Sequence, residues 1–493
     1  MTRKSLHFAR LGATSALLAL TLEACAVGPN YKAPTTQFAP FHNTAAVSTA
    51  ATAPAAPAPL DTWWTGFNDP MLVTIVQRAL DQNLDLTASL ARVQQARAAA
   101  AGAGAELLPT IDVNGSATFS RQSLRGQAAN LGNASPAFSR SFNEYTLGPA
   151  ASWEIDLFGG LRRGAAAASA EAQAAEADGA GTRVTVAADA ADAYLQIRGY
   201  QARLAVAQDQ VDTDEHLLRL VKGRYGAGAA DGREVAQAEA LLRQARAILP
   251  VLRIGLEQQL NRLDVLMGVQ PGTYAQDLSV TRAIPAIPAI TTAQAPTEVL
   301  RRRPDIIAAE RRLAASNERI GAAISDYYPK VSLSGAIGYD STRAGKLFTS
   351  DAFSAVGGPA LRWRLFDFGK IDAEVKQAKG ANAEALAMYR QSVLRAAEDV
   401  ENAMMSLSQT QIRVDEVQGQ VDALTKARDL SQRAYSSGSI PLTDVLDANR
   451  ELLTARDILD ANRADAARAA VALFRAFGGG WTPPTTKVAA ITP

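Results

Sequence analysis

The sequence is poor in the residues that build disulfide and metal scaffolds. Its 493 residues include one cysteine and three histidines. One cysteine excludes an intramolecular disulfide framework, and the histidines are too scattered to give a zinc-ligand spacing. Neither charge sign is in excess, because 50 Lys and Arg stand against 49 Asp and Glu, so the net charge of +1 gives no reason to expect a nucleic-acid partner. Aromatic residues make up only 6% of the chain, and an apolar content based on Ala, Val and Leu suits closely packed helices.

The N-terminus has the pattern of a bacterial lipoprotein signal. A basic start precedes a short apolar stretch at 11–21, which is too short to span a membrane as a mature helix. A small residue and then the only cysteine, Cys25, follow this stretch and resemble a lipobox. We therefore predict a signal peptide over 1–24 and a palmitate-type lipid anchor on Cys25, and Ala26 after it favours the outer membrane. Glu23 departs from the usual small or apolar residue, and ordinary cleavage with an incidental cysteine is the alternative.

The chain after the signal contains one internal duplication. WEIDLFG at 153–159 matches WRLFDFG at 363–369 with an offset of 210 residues. Upstream the offset is 220, as between Pro109 and Pro329, so a loop between 120 and 152 is expected to be ten residues longer in the first copy. Two copies are too few for a solenoid, so each copy is half of a pseudo-symmetric protomer. The offset of 210 also relates Tyr225 to Tyr435, Gly228 to Gly438, Val235 to Val445 and Gly268 to Gly478.

The duplication and the local composition predict how the chain is divided. An Ala- and Pro-rich stretch at 40–60 indicates a semi-extended tether rather than a core element. Three glycines at 478–480 should end the last helix. The predicted segments are the lipid anchor and tether at 25–68, a first repeat at 69–275, a Pro-rich linker at 276–296, a second repeat at 297–480 and a loose tail at 481–493.

Each copy contains a stretch in which apolar and polar residues alternate. The stretches at 111–119 and 331–339 have the period of two that is typical of a strand with one apolar face. Partner strands are predicted at 145–155 and 353–365. Four strands of about ten residues have the length needed to cross a bilayer, but four cannot close a barrel, because open edges are unsatisfied in lipid. If these strands cross a membrane, several chains must share one barrel.

The remainder of each copy has an apolar residue every seven positions. A sustained heptad indicates left-handed coiled-coil packing. A continuous helix over 162–223 would be about 90 Å long, which suits long antiparallel hairpins better than a compact domain. The predicted fold class is therefore mixed and mostly α, although periodicity alone would favour a soluble coiled-coil rod. In the first copy the heptad series is Ala190, Ile197, Leu204, Val211, Leu218 and Tyr225.

Four short motifs follow one another along this duplication. They are CAVGPNY at 25–31, LRRRPDI at 300–306, Tyr-x-x-Gly at 435–438 and DVLDA at 444–448. In this order they resemble the outer membrane factor family of TolC-like efflux and secretion ducts, and most closely its NodT branch of OprM-type lipoproteins. The resemblance covers nearly the whole mature chain. It implies a homotrimer with a twelve-stranded outer-membrane barrel, four strands from each chain, that continues into a periplasmic α-barrel of helical hairpins.

The turns at 226–231 and 436–441 occupy the same place in the two copies, so both should lie at one end of the tunnel. Locally, their glycines are explained as C-caps of helical hairpins. The resemblance implies that the same tips dock a periplasmic adaptor of a tripartite pump. The predicted docking residues are Tyr225, Gly228, Tyr435 and Gly438.

Three acidic residues near these turns are gate candidates. Asp444 and Asp447 are spaced i, i+3 on one helix face, and in a trimer they would form two rings of negative charge that select cations. The resemblance implies that they line the periplasmic gate, and interaction with the helix dipole is the local alternative. Glu234, the first-copy equivalent of Asp444, is the third candidate, although Asp231 three residues earlier suggests a capping arrangement. Ile440 stands where some relatives carry a basic residue that bridges the closed hairpins.

Two aromatic pairs attract attention as possible binding sites. Tyr327 and Tyr328 directly precede a predicted strand, where an interfacial aromatic belt is the simpler interpretation. Trp63 and Trp64 are expected to pack the N-terminal segment against the helices.

The sequence as a whole predicts a passive export duct of the outer membrane that extends into the periplasm. Energy and substrate choice would come from an inner-membrane transporter and its adaptor, and the remaining partner would be outer-membrane lipid. No catalytic triad, metal set or phosphate loop is apparent, so we expect neither an enzyme nor a cofactor. The alternative is a lipid-anchored structural coiled coil without a pore.

Overall fold

The computed structural model describes residues 26–35, 40–44, 59–123, 125, 139–290 and 296–483. The predicted signal peptide, Cys25 and part of the longer first-copy loop lie outside the described residues. The predicted segment boundaries stay predictions.

The described elements are a mixture of long helices and four strands. They are a 3-10 helix Leu60–Phe67, α1 Pro70–Gln82, α2 Leu84–Ala105, β1 Thr110–Arg121, β2 Ser141–Ile155, α3 Gly160–Gly226, α4 Gly232–Leu266, α5 Pro296–Arg301, α6 Pro304–Ser325, β3 Lys330–Ser341, two short 3-10 turns Ala344–Lys346 and Ser350–Ala352, β4 Phe353–Arg362, α7 Lys370–Ser436 and α8 Leu442–Ala476. The duplication is visible in the helix lengths, because α3 and α7 each have 67 residues and α4 and α8 each have 35. None of the helices in the described part of the chain is both long and apolar enough to cross a membrane.

The chain forms two compact units. One contains Gln94–Ala174 and Glu310–Met388, together with the described residues up to Pro34. The other contains Ala175–Ala309, the described residues from Tyr389 onward and the segment that ends at Val93. The first unit holds the sheet, and the second holds the turns between the long helices.

The four strands form one antiparallel sheet in the order β1-β2-β3-β4. Ile111 lies opposite Ala151, Ala151 opposite Gly335, and Gly335 opposite Gly357. Because paired residues point to the same face, this register gathers most of the large apolar residues of the four strands on one face. The large exposed side chains on that face include Ile111, Val113, Phe119, Leu333, Ile337, Phe353 and Leu361.

The four predicted strands are confirmed, with differences at two termini. The second strand begins at Ser141, four residues before the predicted start at 145. The last one ends at Arg362 instead of continuing to Leu365. Arg362 pairs with Lys330, which is the first residue of β3, so the residues after Arg362 have no partner strand in the part of the chain that the structure describes. Trp363, the next residue, instead donates from its indole Nε1 to the carbonyl oxygen of Tyr327 at 3.0 Å.

The core of the second unit contains the predicted tryptophan pair. Trp63 and Trp64 are both buried, and the Trp63 ring stacks on Phe474 of α8 with 5.3 Å between ring centroids. The expected packing of this segment against the helices is therefore confirmed. Helix α8 ends two residues after Phe474, and Gly478 follows with a φ of 67° in the left-handed region, as the glycine run predicts.

The LRRRPDI motif has a structural role in the same unit. Arg303 is buried and donates from Nη1 to the carbonyl oxygens of Ala476 at 3.1 Å and Ala396 at 3.3 Å. Its Nη2 also lies 2.9 Å from carboxylate oxygens of Asp305 and Asp399. One arginine therefore ties the start of α6 to α7 and to the end of α8 by charge-assisted hydrogen bonds.

Candidate functional site

The two turns between the long helices have the same backbone geometry. Gly228 and Gly438 have φ values of 73° and 75°, which L-residues with a side chain rarely adopt. The amide of Gly228 donates to the carbonyl oxygen of Tyr225 at 3.0 Å, and that of Gly438 donates to Tyr435 at 2.9 Å. Both turns are therefore glycine-capped helix ends, as the sequence predicts.

The helices next to these turns share one hydrophobic core. It is built from α3, α4, α7 and α8, so the two turns belong to one assembly, which we call the tip. The side chain of Ile440 packs against this core. The buried members of the tip core are Leu217, Val221, Ala238, Tyr435, Leu442 and Val445.

The equivalent tyrosines of the two copies have different environments. Tyr435 is 2% exposed, whereas Tyr225 is 54% exposed. The prediction that Tyr225 continues the coiled-coil core is therefore wrong within one chain, because the residue before it, Arg224, turns toward Tyr435 and leaves Tyr225 on the outside. The Arg224 guanidinium lies 4.5 Å from the centroid of the Tyr435 ring, and its Nη1 donates to the Tyr435 carbonyl oxygen at 3.2 Å.

Tyr435 also connects the two halves of the tip. Its hydroxyl donates to Glu234 Oε2 at 3.2 Å. Burial raises the pKa of Tyr435 above its usual value, the Arg224 charge opposes this effect and the Glu234 carboxylate adds to it, so the phenol stays protonated and remains a donor. We call the residues Arg224, Glu234 and Tyr435 the tip latch.

The Glu234 carboxylate is not a free acid, because it accepts a hydrogen bond from Tyr435. The Asp231 side chain accepts from the Glu234 amide at 2.9 Å and caps α4, so half of the predicted capping arrangement is present. The other half is absent, because the Glu234 carboxylate accepts the hydrogen bond from Tyr435.

Asp444 and Asp447 lie in the first two turns of α8, and both are exposed. Asp444 accepts a long hydrogen bond from the hydroxyl of Thr443 at 3.4 Å. Asp447 forms an ion pair with Arg450, whose Nη2 lies 2.7 Å from Asp447 Oδ1. Both side chains of this pair are more than half exposed, so the pair contributes only about 0–1 kcal/mol and can rearrange easily.

Sequence reasoning missed two basic residues of this site. Arg450 was detectable, because it follows Asp447 by three residues on a helix. Arg224 was not, because it is 211 positions from Tyr435 and only the packing of the hairpins brings them together. Arg224 supplies a positive charge at the tip, which the apolar side chain of Ile440 cannot supply.

The edges of the sheet form a second candidate site. Among the described residues, β1 pairs only with β2 and β4 only with β3. In the first copy Phe158 stacks on Tyr328 with 4.6 Å between ring centroids. Its second-copy equivalent, Phe368, is fully exposed, and so is most of Leu108, the first-copy equivalent of Tyr328. The open edge at β4 therefore carries Phe368, the equivalent of Phe158, and the open edge at β1 carries Leu108, the equivalent of Tyr328.

The described start of the chain is fixed beside the sheet. The amide of Val27 donates to the carbonyl oxygen of Phe158 at 3.0 Å. Arg163, the buried residue beneath this segment, donates to Asn30 Oδ1 and Glu318 Oε2, both at 2.7 Å. This places Ala26, the residue after the predicted lipid attachment site, near the end of β2.

Comparisons with known proteins agree with one another. A family model described as "Outer membrane efflux protein" matches residues 75–269 and 295–479. The pyoverdine export outer membrane protein OpmQ of Pseudomonas aeruginosa is 33% identical over 421 residues, covering 85% of this chain and 87% of that protein. Nodulation protein T of Rhizobium leguminosarum bv. trifolii is 30% identical over 475 residues, covering 95% and 97%. The solved structure of the outer-membrane channel OprN has a TM-score of 0.84 and 33% identity, covering 93% of this chain and all of that one.

Proposed function

The chain belongs to the outer membrane efflux protein family, and we propose that it is the outer-membrane duct of a tripartite export system. In this proposal three copies form a passive conduit that receives its substrates from an inner-membrane transporter through a periplasmic adaptor. The chain itself carries out no catalysis. Acylation of Cys25 anchors each copy to the outer membrane.

The sheet is the observation that carries the proposal. Its apolar face exposes large side chains along all of β1, β3 and β4, which suits lipid better than water. Neither edge is paired by a described strand, and three chains of four strands would close these edges into one barrel of twelve. A structural coiled coil has no use for such a sheet, so this observation favours the duct over that alternative.

The tip supports a gate at the periplasmic end. In the proposed trimer, Asp444 and Asp447 of the three copies line the constriction as rings of negative charge. The tip latch holds α7 against α3 and α4, because the ring of Tyr435 on α7 lies under Arg224 of α3 and its hydroxyl donates to Glu234 of α4. Opening is then a shift of the α7–α8 hairpin that breaks this hydrogen bond, driven by contact of the adaptor with the exposed parts of the turns.

We propose that different residues contact the adaptor and hold the tip closed. Tyr225, Gly228 and Gly438 are accessible at the turns, and we propose that they contact the adaptor. Tyr435 is buried under Arg224, so we propose that its role is to hold the closed tip.

Conductance in planar bilayers tests the duct and its gate together. The purified protein should form cation-selective channels, and the double substitution Asp444→Asn with Asp447→Asn should weaken cation selectivity and block by divalent cations. Glu451→Gln is the matched control, because Glu451 is an exposed acid on the same helix but outside the proposed rings. No channels from the wild-type protein would contradict the duct, and unchanged selectivity in the double variant would contradict the gate.

A further inference from the structure

The coiled-coil cores of the two hairpins share three equivalent buried positions, and at one position beside them the first copy carries an acid where the second carries a leucine. In the first hairpin Val211, Leu242 and Ala245 form a buried cluster, and their equivalents Val421, Leu452 and Ala455 do so in the second. In the second hairpin Leu424 also packs against its cluster. The first-copy equivalent of Leu424 is Asp214, which is 1% exposed. A carboxyl group therefore occupies a position that an apolar side chain fills in the other copy.

The Asp214 carboxyl is only half satisfied. Its Oδ1 accepts from Gln210 Nε2 at 2.8 Å. Its Oδ2 is buried and accepts no hydrogen bond from any residue that the structure describes. Burial raises the pKa of Asp214 from its ordinary value to about 6, against the opposing effect of the Gln210 hydrogen bond. An unpartnered buried oxygen of this kind is costly once the group is ionised.

Asp214 faces a cavity of about 140 Å³ between α3, α4 and α8. The charged groups on this cavity are Arg203 from α3, and Arg450 and Asp457 from α8. The contribution of α4 is uncharged: Leu241, Gln244, Ala245 and Ile248.

Only one of the two cations is available to Asp214. Arg203 is held by Asp457 through two hydrogen bonds, from Nε at 2.7 Å and from Nη2 at 2.9 Å. Among the described residues, the Arg450 guanidinium is held by one partner, through the exposed ion pair with Asp447. The cavity is therefore lined by the same arginine that neutralises a proposed gate residue.

We propose that Asp214 and Asp447 compete for Arg450, so that a proton on Asp214 controls the charge at the gate. With Asp214 protonated, Arg450 pairs with Asp447, as it does in this structure. When Asp214 ionises, Arg450 turns into the cavity and leaves Asp447 unpaired. Three unpaired Asp447 side chains, one from each copy, then repel one another and favour the open tip. This inference rests on the proposed function, because it takes Asp447 as a gate residue.

The test is the pH dependence of channel opening in planar bilayers between pH 5 and pH 8. The wild-type open probability should rise with pH around a midpoint at or below about 6, because burial favours the protonated Asp214 and pairing with Arg450 favours the ionised form. Asp214→Asn should abolish this rise, because an amide of the same shape cannot ionise. Asp212→Asn is the matched control, since Asp212 is an exposed acid on the same helix that accepts from Gln208 just as Asp214 accepts from Gln210.

Thermal unfolding provides a readout that does not depend on conduction. A raised pKa means that the folded protein binds the Asp214 proton more tightly than the unfolded chain does. The apparent Tm of the wild type should therefore fall as pH rises from about 4 to about 6, relative to Asp214→Asn.

The possible results separate this inference from the proposed function. A pH response that persists in Asp214→Asn, that disappears in Asp212→Asn or that runs in the opposite direction overturns the inference and leaves the duct intact. Absence of channels at every pH overturns the duct, and the difference in Tm slope between wild type and Asp214→Asn then decides whether Asp214 titrates as described.

Discussion

Tyr435 is the residue on which the proposed closed state of the tip depends most directly. It is buried in the tip core, its ring lies under Arg224 and its hydroxyl reaches Glu234 on the other hairpin. Its first-copy equivalent, Tyr225, lies outside the tip core, because more than half of its side chain is exposed. The duplication thus supplies two tyrosines, and only one of them has been built into the tip latch.

Tyr435→Phe should loosen the tip without disturbing its packing. The substitution keeps the buried ring and the contact with Arg224 but removes the hydroxyl donor to Glu234, which should cost about 0.5–1.5 kcal/mol. We expect a higher open probability in planar bilayers and a lower apparent Tm. Tyr225→Phe is the matched control and should change neither quantity. Equal behaviour of the two variants would show that the hydrogen bond to Glu234 does not hold the tip closed.

At the tip, the sequence predicts the backbone geometry of the turns better than it predicts which side chains contact one another. Gly228 and Gly438 were predictable, because a helix end in the left-handed region favours glycine. The partner of Asp447 was predictable, because Arg450 lies three residues further along the same helix. The partner of Glu234 was not, because Tyr435 is 201 positions away in the sequence. Asp214 escaped notice because a polar residue in a long heptad sequence is not by itself a sign of burial.

At the scale of elements, the two copies resemble each other more closely in backbone geometry than in side chains. Both hairpins have helices of the same lengths and turns of the same φ, although the turn sequences differ. The heptad predicted α3 within a few residues, at 162–223 against Gly160–Gly226. The alternation also predicted β1 and β3 to within two residues at each end. The partner strands were predicted less closely, because β2 begins four residues earlier than expected and β4 ends at Arg362, where the length of a strand depends on its partner and not on its own pattern.

Gly228→Ala and Gly438→Ala should each destabilise a hairpin turn. A Cβ at either position meets no atom within 4 Å, so the cost is the left-handed backbone alone, about 1–2 kcal/mol. Gly232→Ala is the matched control, because Gly232 also has open space but begins α4 with an ordinary φ. Its substitution should be neutral or stabilising. Apparent Tm values of the three variants check this, and a loss of the same size at Gly232 would contradict the assignment.

At the scale of the whole molecule, the duplication makes the chain incomplete by itself. The contact of β2 with β3 joins the first copy to the second, and no described strand joins the second copy back to the first. The side chains at this missing junction are exposed and apolar: Leu108, Val113, Leu361, Trp363, Leu365 and Phe368. The proposed trimer would repeat the β2–β3 junction between β4 of one chain and β1 of the next, so that three chains provide six equivalent junctions.

This quasi-equivalence predicts the register between neighbouring chains. Ala151 of β2 lies opposite Gly335 of β3, and their equivalents at the open edges are Leu361 and Gly115. Leu361 of one chain should therefore lie opposite Gly115 of the next, with apolar residues of both strands on the same face as within the chain. Phe368 should cover Leu108 of the neighbouring chain, as Phe158 covers Tyr328 within one chain.

Cysteine cross-linking measures this register. The pair Leu361→Cys with Gly115→Cys should oxidise to chains linked between subunits, because directly opposed residues in an antiparallel pair have Cα atoms about 4.5–5.5 Å apart, within reach of a disulfide. The matched control, Leu361→Cys with Ala117→Cys, lies on the same face but two residues along the strand, about 7 Å further on, and should cross-link poorly. Leu361→Cys alone controls for reaction with Cys25. Preferential linkage of the control pair in a conducting channel would contradict the register alone, whereas monomeric protein with no linkage from either pair would contradict the shared barrel itself.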